Sequence, residues 1–271
     1  MKLQLVQPTV GEKNLLHVSY SQIYTYLLCP MKYAHNYVWA NTAESRPLAL
    51  IYGKAVHHGV EGYYNCIKET GATLPVEELI QLFETSFDEE VKKSELKISM
   101  KKNKTLESAK GQGIELLKLF HTEIRPQKIV AVEFPFSVPI PDINNGGNLP
   151  FQLVGYFDLV ESDKEGTYII GELKTSGQKF NSLRLKYDLQ PTAYSYAMSK
   201  MKQATCLVRY DVLVKTKKPA FEQYFVSRTA AEHERLIHLI NNVLSAIEHR
   251  LFYRNMGWQC QDCQYKNVCL Q

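Results

Sequence analysis

The chain has 271 residues, of which 45% are hydrophobic and 22% are charged, and its formal net charge is +4. Such a length can hold a sizeable core and a smaller second unit, and no apolar run approaches the roughly 20 residues that span a membrane. The opening segment from Met1 to Pro8 is too short and polar for a signal peptide. We therefore expect a cytoplasmic protein of a reducing compartment with no membrane partner. The small positive charge only weakly favours nucleic acid.

Helical patterns fill the first half of the chain. Ser19 and Gln22 have the spacing of a helix capping box, and Pro30 is expected to break the helix that follows. Apolar residues recur at helical spacing further along, after a predicted linker at residues 41–49. The predicted helices of this half cover residues 19–38, 50–69, 76–98 and 105–124.

Strand patterns fill the second half. Residues 130–138 alternate in polarity, which places Val132, Phe134, Phe136 and Val138 on one face of a first core strand, and residues 139–150 form a predicted loop. Further predicted strands cover residues 154–160, 168–176, 205–214 and 221–227, and predicted helices cover 188–202 and 229–253. These elements predict an α/β fold with a mixed central sheet flanked by helices.

Two of these strands carry a pair of acids and a lysine. If Lys164 to Gly166 form a three-residue hairpin loop, with Gly166 in the left-handed region, Asp158 lies directly opposite Glu172. Two carboxylates at that spacing can share a divalent cation, and Lys174 points to the same face as Glu172. Such a site can activate water and stabilise the charge that develops on a phosphate.

The alternative for these three residues is a cross-strand salt bridge on a solvated face. Against it, their neighbours Phe157, Leu159 and Ile170 are apolar, and charges among apolar residues are costly unless they are paired or bound to metal. Glu133, on the preceding strand, could reach a metal through water, although a surface or structural role is favoured for it.

Four motifs in order resemble the PD-(D/E)XK nucleases in their RecB-like branch. They are Gly53-x-x-x-His57, Asp158, Glu172-x-Lys174 and Gln190-x-x-x-Tyr194. Many members have Asp where this chain has Glu172. The resemblance covers nearly the whole chain and implies a restriction-endonuclease-like core. It implies Mg²⁺ or Mn²⁺ held by His57 rather than the adjoining His58, together with Asp158, Glu172 and the Leu173 carbonyl. It also implies that Lys174 acts on water, with Gln190 near the lysine or the scissile phosphate and Tyr194 near nucleic acid.

Cysteines form a second constellation. Cys260, Cys263 and Cys269 have the spacing C-x2-C-x5-C in a polar tail, and three such thiols look like soft-metal ligands that lack a fourth partner. Cys29, just before Pro30, is the best candidate for that partner. Zinc suits four thiolates. The resemblance to the iron–sulfur subset of RecB-like nucleases instead implies a 4Fe–4S cluster. Cys66 and Cys206 have no other cysteine close to them in the sequence and are expected to be small buried residues.

These observations and the resemblance predict four segments and an activity. The segments are an N-terminal helical part at residues 1–50 with Cys29, a helical region at 51–127 with His57, a nuclease core at 128–253, and an iron–sulfur tail at 254–271. The resemblance implies a metal-dependent exonuclease on single-stranded DNA, with 5′→3′ polarity. Two alternatives are a CRISPR adaptation factor that trims prespacers beside integrase proteins, and a non-catalytic DNA-binding scaffold. A helicase is a further possible partner, since the chain has no helicase motif of its own.

Overall fold

A mixed six-stranded sheet with helices on both faces forms the centre of the molecule. The computed structural model describes residues 16–100 and 104–270. The strands are β1 Leu16–Ser19, β2 Ser45–Pro47, β3 Lys97–Ser99, β4 Lys128–Pro141, β5 Asn148–Ser162, β6 Tyr168–Ser176, β7 Cys206–Val214 and β8 Ala220–Val226. The helices are α1 Tyr20–Leu28, α2 Pro30–Tyr33, α3 Leu48–Thr70, α4 Val76–Lys92, α5 Leu106–Glu123, α6 Ser182–Tyr187, α7 Leu189–Lys202, α8 Ala230–Glu248 and α9 Lys266–Leu270. A π-helical turn covers Ala34–Val38 and a 3-10 turn covers Trp258–Cys260.

Strand β5 organises the sheet. Antiparallel β4 pairs along one of its edges, and the other edge is shared by two strands. Parallel β1 pairs there as far as Ser19 opposite Val154, and antiparallel β6 pairs from Leu159 opposite Gly171 onwards. Strand β7 continues the sheet parallel to β6, and β8 is antiparallel to β7. The shared edge therefore leaves a gap between β1 and β6, and Asp158 lies beside it.

Two apolar layers cover the sheet. One face packs against α1, α7 and α8, with Phe136, Phe157 and Ala197 in its core. The other face packs against α3, α4 and α5, with Phe83 and Leu173 in its core. No helix in the described part of the chain is both long enough and apolar enough to cross a membrane.

Several sequence predictions are confirmed. The fold is the expected mixed α/β sheet flanked by helices, and the predicted capping box of Ser19 and Gln22 begins α1. The β5–β6 hairpin has the predicted register from Ser162 with Tyr168 to Leu159 with Gly171, but the pairing ends there, one residue before Asp158 and Glu172. Gly166 has a φ of 87°, the left-handed conformation that the three-residue loop requires. The division into four segments stays a prediction.

Other element boundaries were predicted wrongly. Residues 139–150 are a loop only at their centre, because β4 runs to Pro141 and β5 starts at Asn148. Helix α4 ends at Lys92 rather than residue 98, since Lys97–Ser99 instead pair with Ser45–Pro47 of the expected linker. The last long helix ends at Glu248 rather than 253, and Arg250 just beyond it has a left-handed φ of 56°. Each short strand is stabilised by a partner distant in sequence, which local patterns do not show.

A buried charge network lies between β5 and β7. The Arg209 guanidinium contacts the Glu161 carboxylate, and its Nε and Nη2 donate to the two oxygens of Asp211 at 2.9 Å each. Exposure of these three residues is 3% or less. The Glu161 carboxylate also accepts the Gln127 backbone N–H at 2.6 Å. Burying a charge without its partner is costly, so each charge in this network depends on the others.

We expect Arg209→Met to destabilise the protein by about 3–5 kcal/mol, because it leaves Glu161 and Asp211 buried without their cation. Urea denaturation would measure the free energy of unfolding. The matched control is Arg235→Met at an exposed position of α8, which should change stability by less than about 0.5 kcal/mol. Equal effects of the two substitutions would contradict a structural role for the network.

Candidate active site

Asp158 stands where β5 and β6 separate. Beyond the last pair, Leu159 with Gly171, its Oδ2 accepts the Leu173 backbone N–H at 2.9 Å. The same oxygen lies 3.5 Å from Nδ1 of His57, which α3 carries across this end of the hairpin. Because β5 and β6 diverge here, the Asp158 carboxylate faces the His57 imidazole and the backbone of Leu173.

Glu133 joins this group because of an unusual backbone conformation. It lies on β4 between the pairs Val132 with Leu159 and Phe134 with Phe157, which puts it across from Asp158. Its φ of 46° is rare for a residue other than glycine. Ligand atoms of His57, Glu133 and Asp158 lie within 4.8 Å of one another, which is close enough to surround one cation.

The left-handed conformation at Glu133 also reverses the alternation of β4. Val132 packs with the α3 layer, whereas Phe134 and Phe136 pack with the α7 layer. The prediction that all three share one face was therefore wrong. A surface or structural role was favoured for Glu133. Its position on β4, directly opposite Asp158 of β5, is the signal that could have identified it as a candidate metal ligand.

Burial and the charges of neighbouring residues shift the pKa values of this group. Burial, followed by repulsion from Glu172, raises the pKa of Asp158 well above its usual range. Burial and the nearby acids Glu61 and Glu172 raise the pKa of Glu133 to about 7. Burial lowers the pKa of His57, which favours the neutral imidazole that metals bind. A divalent cation would offset the repulsion among these acids, so the residues present fit such an ion.

Glu172 and Lys174 form an adjoining polar cluster on the α7 face of β6. Lys174 Nζ lies 2.5 Å from Glu172 Oε1, and Gln190 Nε2 donates to the same oxygen at 2.8 Å. Tyr194 donates its O–H to Glu172 Oε2 at 2.8 Å and accepts from Gln190 Nε2 at 2.9 Å. Three residues of the last two motifs, Lys174, Gln190 and Tyr194, thus meet around the carboxylate of Glu172. The oxygens of Glu172 accept from these three side chains, and its sharing of a cation with Asp158 stays a prediction.

Charge coupling joins the two clusters. Burial alone would lower the pKa of Lys174, but the carboxylates of Glu172 and Asp158 raise it above its ordinary value. Burial and Glu172 also raise the pKa of Tyr194, so it remains a hydrogen-bond donor. The result is a cationic lysine and a phenol O–H held beside a group that could bind a metal. Such an arrangement can orient water and stabilise negative charge.

Comparison with known proteins identifies the family. The PD-(D/E)XK nuclease superfamily matches residues 17–270, nearly the whole chain. The chain belongs to this superfamily. It is therefore a nuclease-type hydrolase with nucleic acid as its substrate class, and nucleases of this superfamily use divalent metals.

Two solved structures match this nuclease, and the first supports its fold. A candidate exonuclease from Eubacterium rectale matches with a TM-score of 0.52 at 14% identity, over 92% of this chain and 86% of the other. The crystal structure of SSO0001 matches with a TM-score of 0.40 at 14% identity, over 92% of each chain. At this identity the first likeness supports the fold alone. No curated protein is a significant match.

The four predicted cysteine ligands of the nuclease meet in space. Cys29 caps the C-terminus of α1, and Cys260, Cys263 and Cys269 lie in the C-terminal tail, yet all four line one cavity. Burial, together with the nearby thiols of Cys29 and Cys269, raises the pKa of Cys263. Neither Cys66 nor Cys206 lines this cavity; Cys206 is buried in the core, and Cys66 is partly exposed on α3.

We expect Glu133→Gln to weaken Mn²⁺ binding about tenfold to a hundredfold, because it removes one carboxylate from the group around Asp158. Calorimetric titration of the metal would measure the affinity. Glu123→Gln, at an exposed position on α5, is the matched control and should leave the affinity unchanged. A wild-type affinity in Glu133→Gln would show that this acid lies outside the metal site.

Proposed function

We propose that this nuclease is a metal-dependent exonuclease that hydrolyses single-stranded DNA with 5′→3′ polarity. The observation that carries the catalytic part is the pair of adjoining clusters, His57–Glu133–Asp158 and Glu172–Lys174, at the point where β5 and β6 separate. The complete second cluster favours catalysis over a non-catalytic scaffold, because a scaffold has no need of a half-buried lysine beside two acids. The strand preference and polarity rest on the RecB-like motifs.

The residues of the site have different proposed roles in the reaction. His57, Glu133, Asp158, Glu172 and the Leu173 carbonyl are the proposed ligands of Mg²⁺ or Mn²⁺, which would supply Lewis-acid activation of the phosphate and water. Lys174 orients the attacking water and stabilises the charge that develops on the phosphate. Gln190 and Tyr194 hold the Glu172 carboxylate, and Glu172 in turn fixes the position of the Lys174 ammonium. Because the ammonium is already held in position, it does not have to reorganise during the reaction.

Exposed aromatic side chains beside the site support a single-stranded substrate. Helix α1 starts at the gap in the sheet, and Tyr20 there donates to Asp188 Oδ1 at 3.0 Å. Tyr24, one turn later, is 48% exposed, and Tyr187, next to Asp188, is 66% exposed. Lys186 Nζ lies 5.3 Å from the centre of the Tyr187 ring. Unpaired bases can stack on such rings while a lysine contacts the phosphates.

Digestion of end-labelled oligonucleotides tests the activity. With Mn²⁺ and a 3′-labelled single strand, we expect a ladder that shortens from the 5′ end, and EDTA should abolish it. The same strand within a blunt duplex should be a poor substrate. Mononucleotide release from the 3′ end would contradict the polarity. No cleavage of any strand with Mn²⁺ or Mg²⁺ would contradict the enzymatic proposal.

We also propose a 4Fe–4S cluster at Cys29, Cys260, Cys263 and Cys269, as in the iron–sulfur subset of RecB-like nucleases. All four thiols line one cavity, which supports a shared metal group. Four thiolates also suit zinc, and the cluster is favoured because the cysteine spacing resembles that branch. That branch includes CRISPR-associated exonucleases, so prespacer trimming beside integrase proteins is the alternative biological setting.

We expect anaerobically purified protein to be brown and to contain about four irons per chain. Metal analysis and the visible absorption spectrum would measure this. Cys66→Ala, which changes a thiol outside the cavity, should keep the iron. A colourless protein with one zinc per chain would replace the cluster by a structural zinc site.

A further inference from the structure

His35 lies in the wall of the cysteine cavity, which it lines together with the four cysteines. Only 5% of the residue is exposed. It belongs to the π-helical turn Ala34–Val38, directly after α2. Turns of this kind are rare and are frequent at functional sites, because they redirect one side chain out of the regular helical spacing.

The hydrogen bond between Asn41 and His35 favours one tautomer of the imidazole. Asn41 Nδ2 lies 2.8 Å from His35 Nδ1, and an amide nitrogen can only donate. Nδ1 is therefore the acceptor, and the ring proton of the neutral imidazole lies on Nε2. In the described part of the chain this buried Nε2 has no hydrogen-bond partner. A buried N–H without an acceptor is costly, so its persistence points to an acceptor that the protein itself does not supply.

Two aromatic side chains hold the imidazole in place. The Tyr265 ring stacks on it at 5.3 Å with an angle of 15°, and the Trp39 ring contacts it edge-on at 5.1 Å. Tyr265 lies between Cys263 and Cys269 in the chain, and its O–H donates to Asn36 Oδ1 at 2.8 Å. The cysteine tail therefore determines where His35 lies relative to the thiols.

We propose that His35 donates a hydrogen bond from Nε2–H to a sulfur of the group held by the four cysteines, and that this bond raises the reduction potential of the group. The proposal rests on the proposed iron–sulfur cluster. Cysteine and sulfide sulfurs are the acceptors that such a group brings, and hydrogen bonds to them are among the factors that set its potential. Reduction adds negative charge to the cluster, so a donor at sulfur stabilises the reduced state more than the oxidised state.

Basic residues around the cavity should also raise the reduction potential. Lys32, Arg254 and Lys266 also line the cavity, and their positive charges favour the more negative, reduced cluster. His35 differs from them because it is neutral and buried: burial and the nearby Arg254 lower its pKa. Its contribution is therefore a directed hydrogen bond rather than a charge that salt would screen.

The test compares His35→Phe with wild-type protein, both anaerobically purified and loaded with iron. Phenylalanine keeps a ring between Tyr265 and Trp39 but removes the N–H. We expect full iron content and a lower midpoint potential in a titration followed by electron paramagnetic resonance. A tenfold change in the reduction equilibrium constant, which is about 59 mV for one electron, is the expected size. His249→Phe, at an exposed position, is the control and should leave the potential unchanged.

Asn41→Leu gives an independent test, because it removes the donor that holds the proton on Nε2. It should lower the potential in the same direction by a smaller amount, and it keeps the proposal testable should His35→Phe fail to fold. Iron-loaded variants with the wild-type potential would overturn the role of His35 while leaving the cluster and the nuclease activity intact. A wild-type protein that contains zinc and no iron would overturn the cluster assignment and the hydrogen bond with it.

Discussion

Asp158→Asn and Lys174→Ala should each lower the rate of single-strand cleavage by at least about a thousandfold. The asparagine keeps an oxygen that can accept the Leu173 N–H at 2.9 Å, so the strand end stays in place while the anionic charge is lost. The alanine removes the ammonium that lies 2.5 Å from Glu172. The first change removes an anionic ligand of the metal, and the second removes the cation that stabilises the phosphate. Rates of oligonucleotide cleavage with saturating Mn²⁺ would measure both effects.

Glu165→Gln is the matched control, since Glu165 is exposed at the tip of the same β5–β6 hairpin. It should cleave at the wild-type rate. A rate within a few fold of wild type in either site variant would show that catalysis occurs elsewhere. Melting temperatures of the same variants should be measured, because a rate lowered by unfolding would not report on the catalytic role of the substituted residue.

Substitutions of Asp158 and of Glu172 should have stability effects of different sign. Repulsion from Glu172, added to burial, raises the pKa of Asp158, so removing this charge should leave stability unchanged or raise it in the absence of metal. Glu172→Ala is a different case. It leaves the buried side chains of Gln190 and Tyr194 without their acceptor, and an unsatisfied buried polar group costs about 1–3 kcal/mol. Glu172→Gln, which keeps an oxygen, is therefore the better probe of this acid.

The hairpin that carries the site was predictable because local chemistry determines it. Gly166 specifies the loop, the loop specifies the register, and the two-residue period of a strand then places Lys174 beside Glu172. Helix spacing likewise places Gln190 and Tyr194 on one face of α7. None of these steps needs knowledge of contacts between distant parts of the chain.

The direct approach of Glu133 to Asp158 and the strand β1 were not predicted, for the opposite reason. A left-handed φ at Glu133 carries no local signal, because glutamate rarely adopts it and the surrounding structure must enforce it. Strand Leu16–Ser19 is only four residues long and forms by pairing with Phe151–Val154 of β5. That His35 Nε2 has no partner among the described residues is visible only once Asn41 and the cavity are located in space. Residues of this kind become apparent from the tertiary structure alone.

Cys260→Ala should cost the protein its proposed cluster and a large part of its stability. The binding free energy of a structural metal group is also folding free energy, so losing one of four ligands removes both. The cluster would join Cys29 to the C-terminal tail, and closing so long a loop is entropically unfavourable without such a clip. A fall in melting temperature and in iron content would measure the effect, with Cys66→Ala as the matched control.

The same variant should separate the cluster from the catalytic metal. His57, Asp158 and Glu172 lie on α3, β5 and β6, none of which contributes a thiol to the cavity, so the folded fraction should still bind Mn²⁺. Single-strand affinity should fall more than Mn²⁺ affinity. Helix α1 runs from Tyr20 at the gap in the sheet to Cys29 at its C-terminal cap, so loss of the cluster releases the end that positions Tyr24. An unchanged melting temperature together with complete loss of Mn²⁺ binding would show that the two centres form one coupled unit.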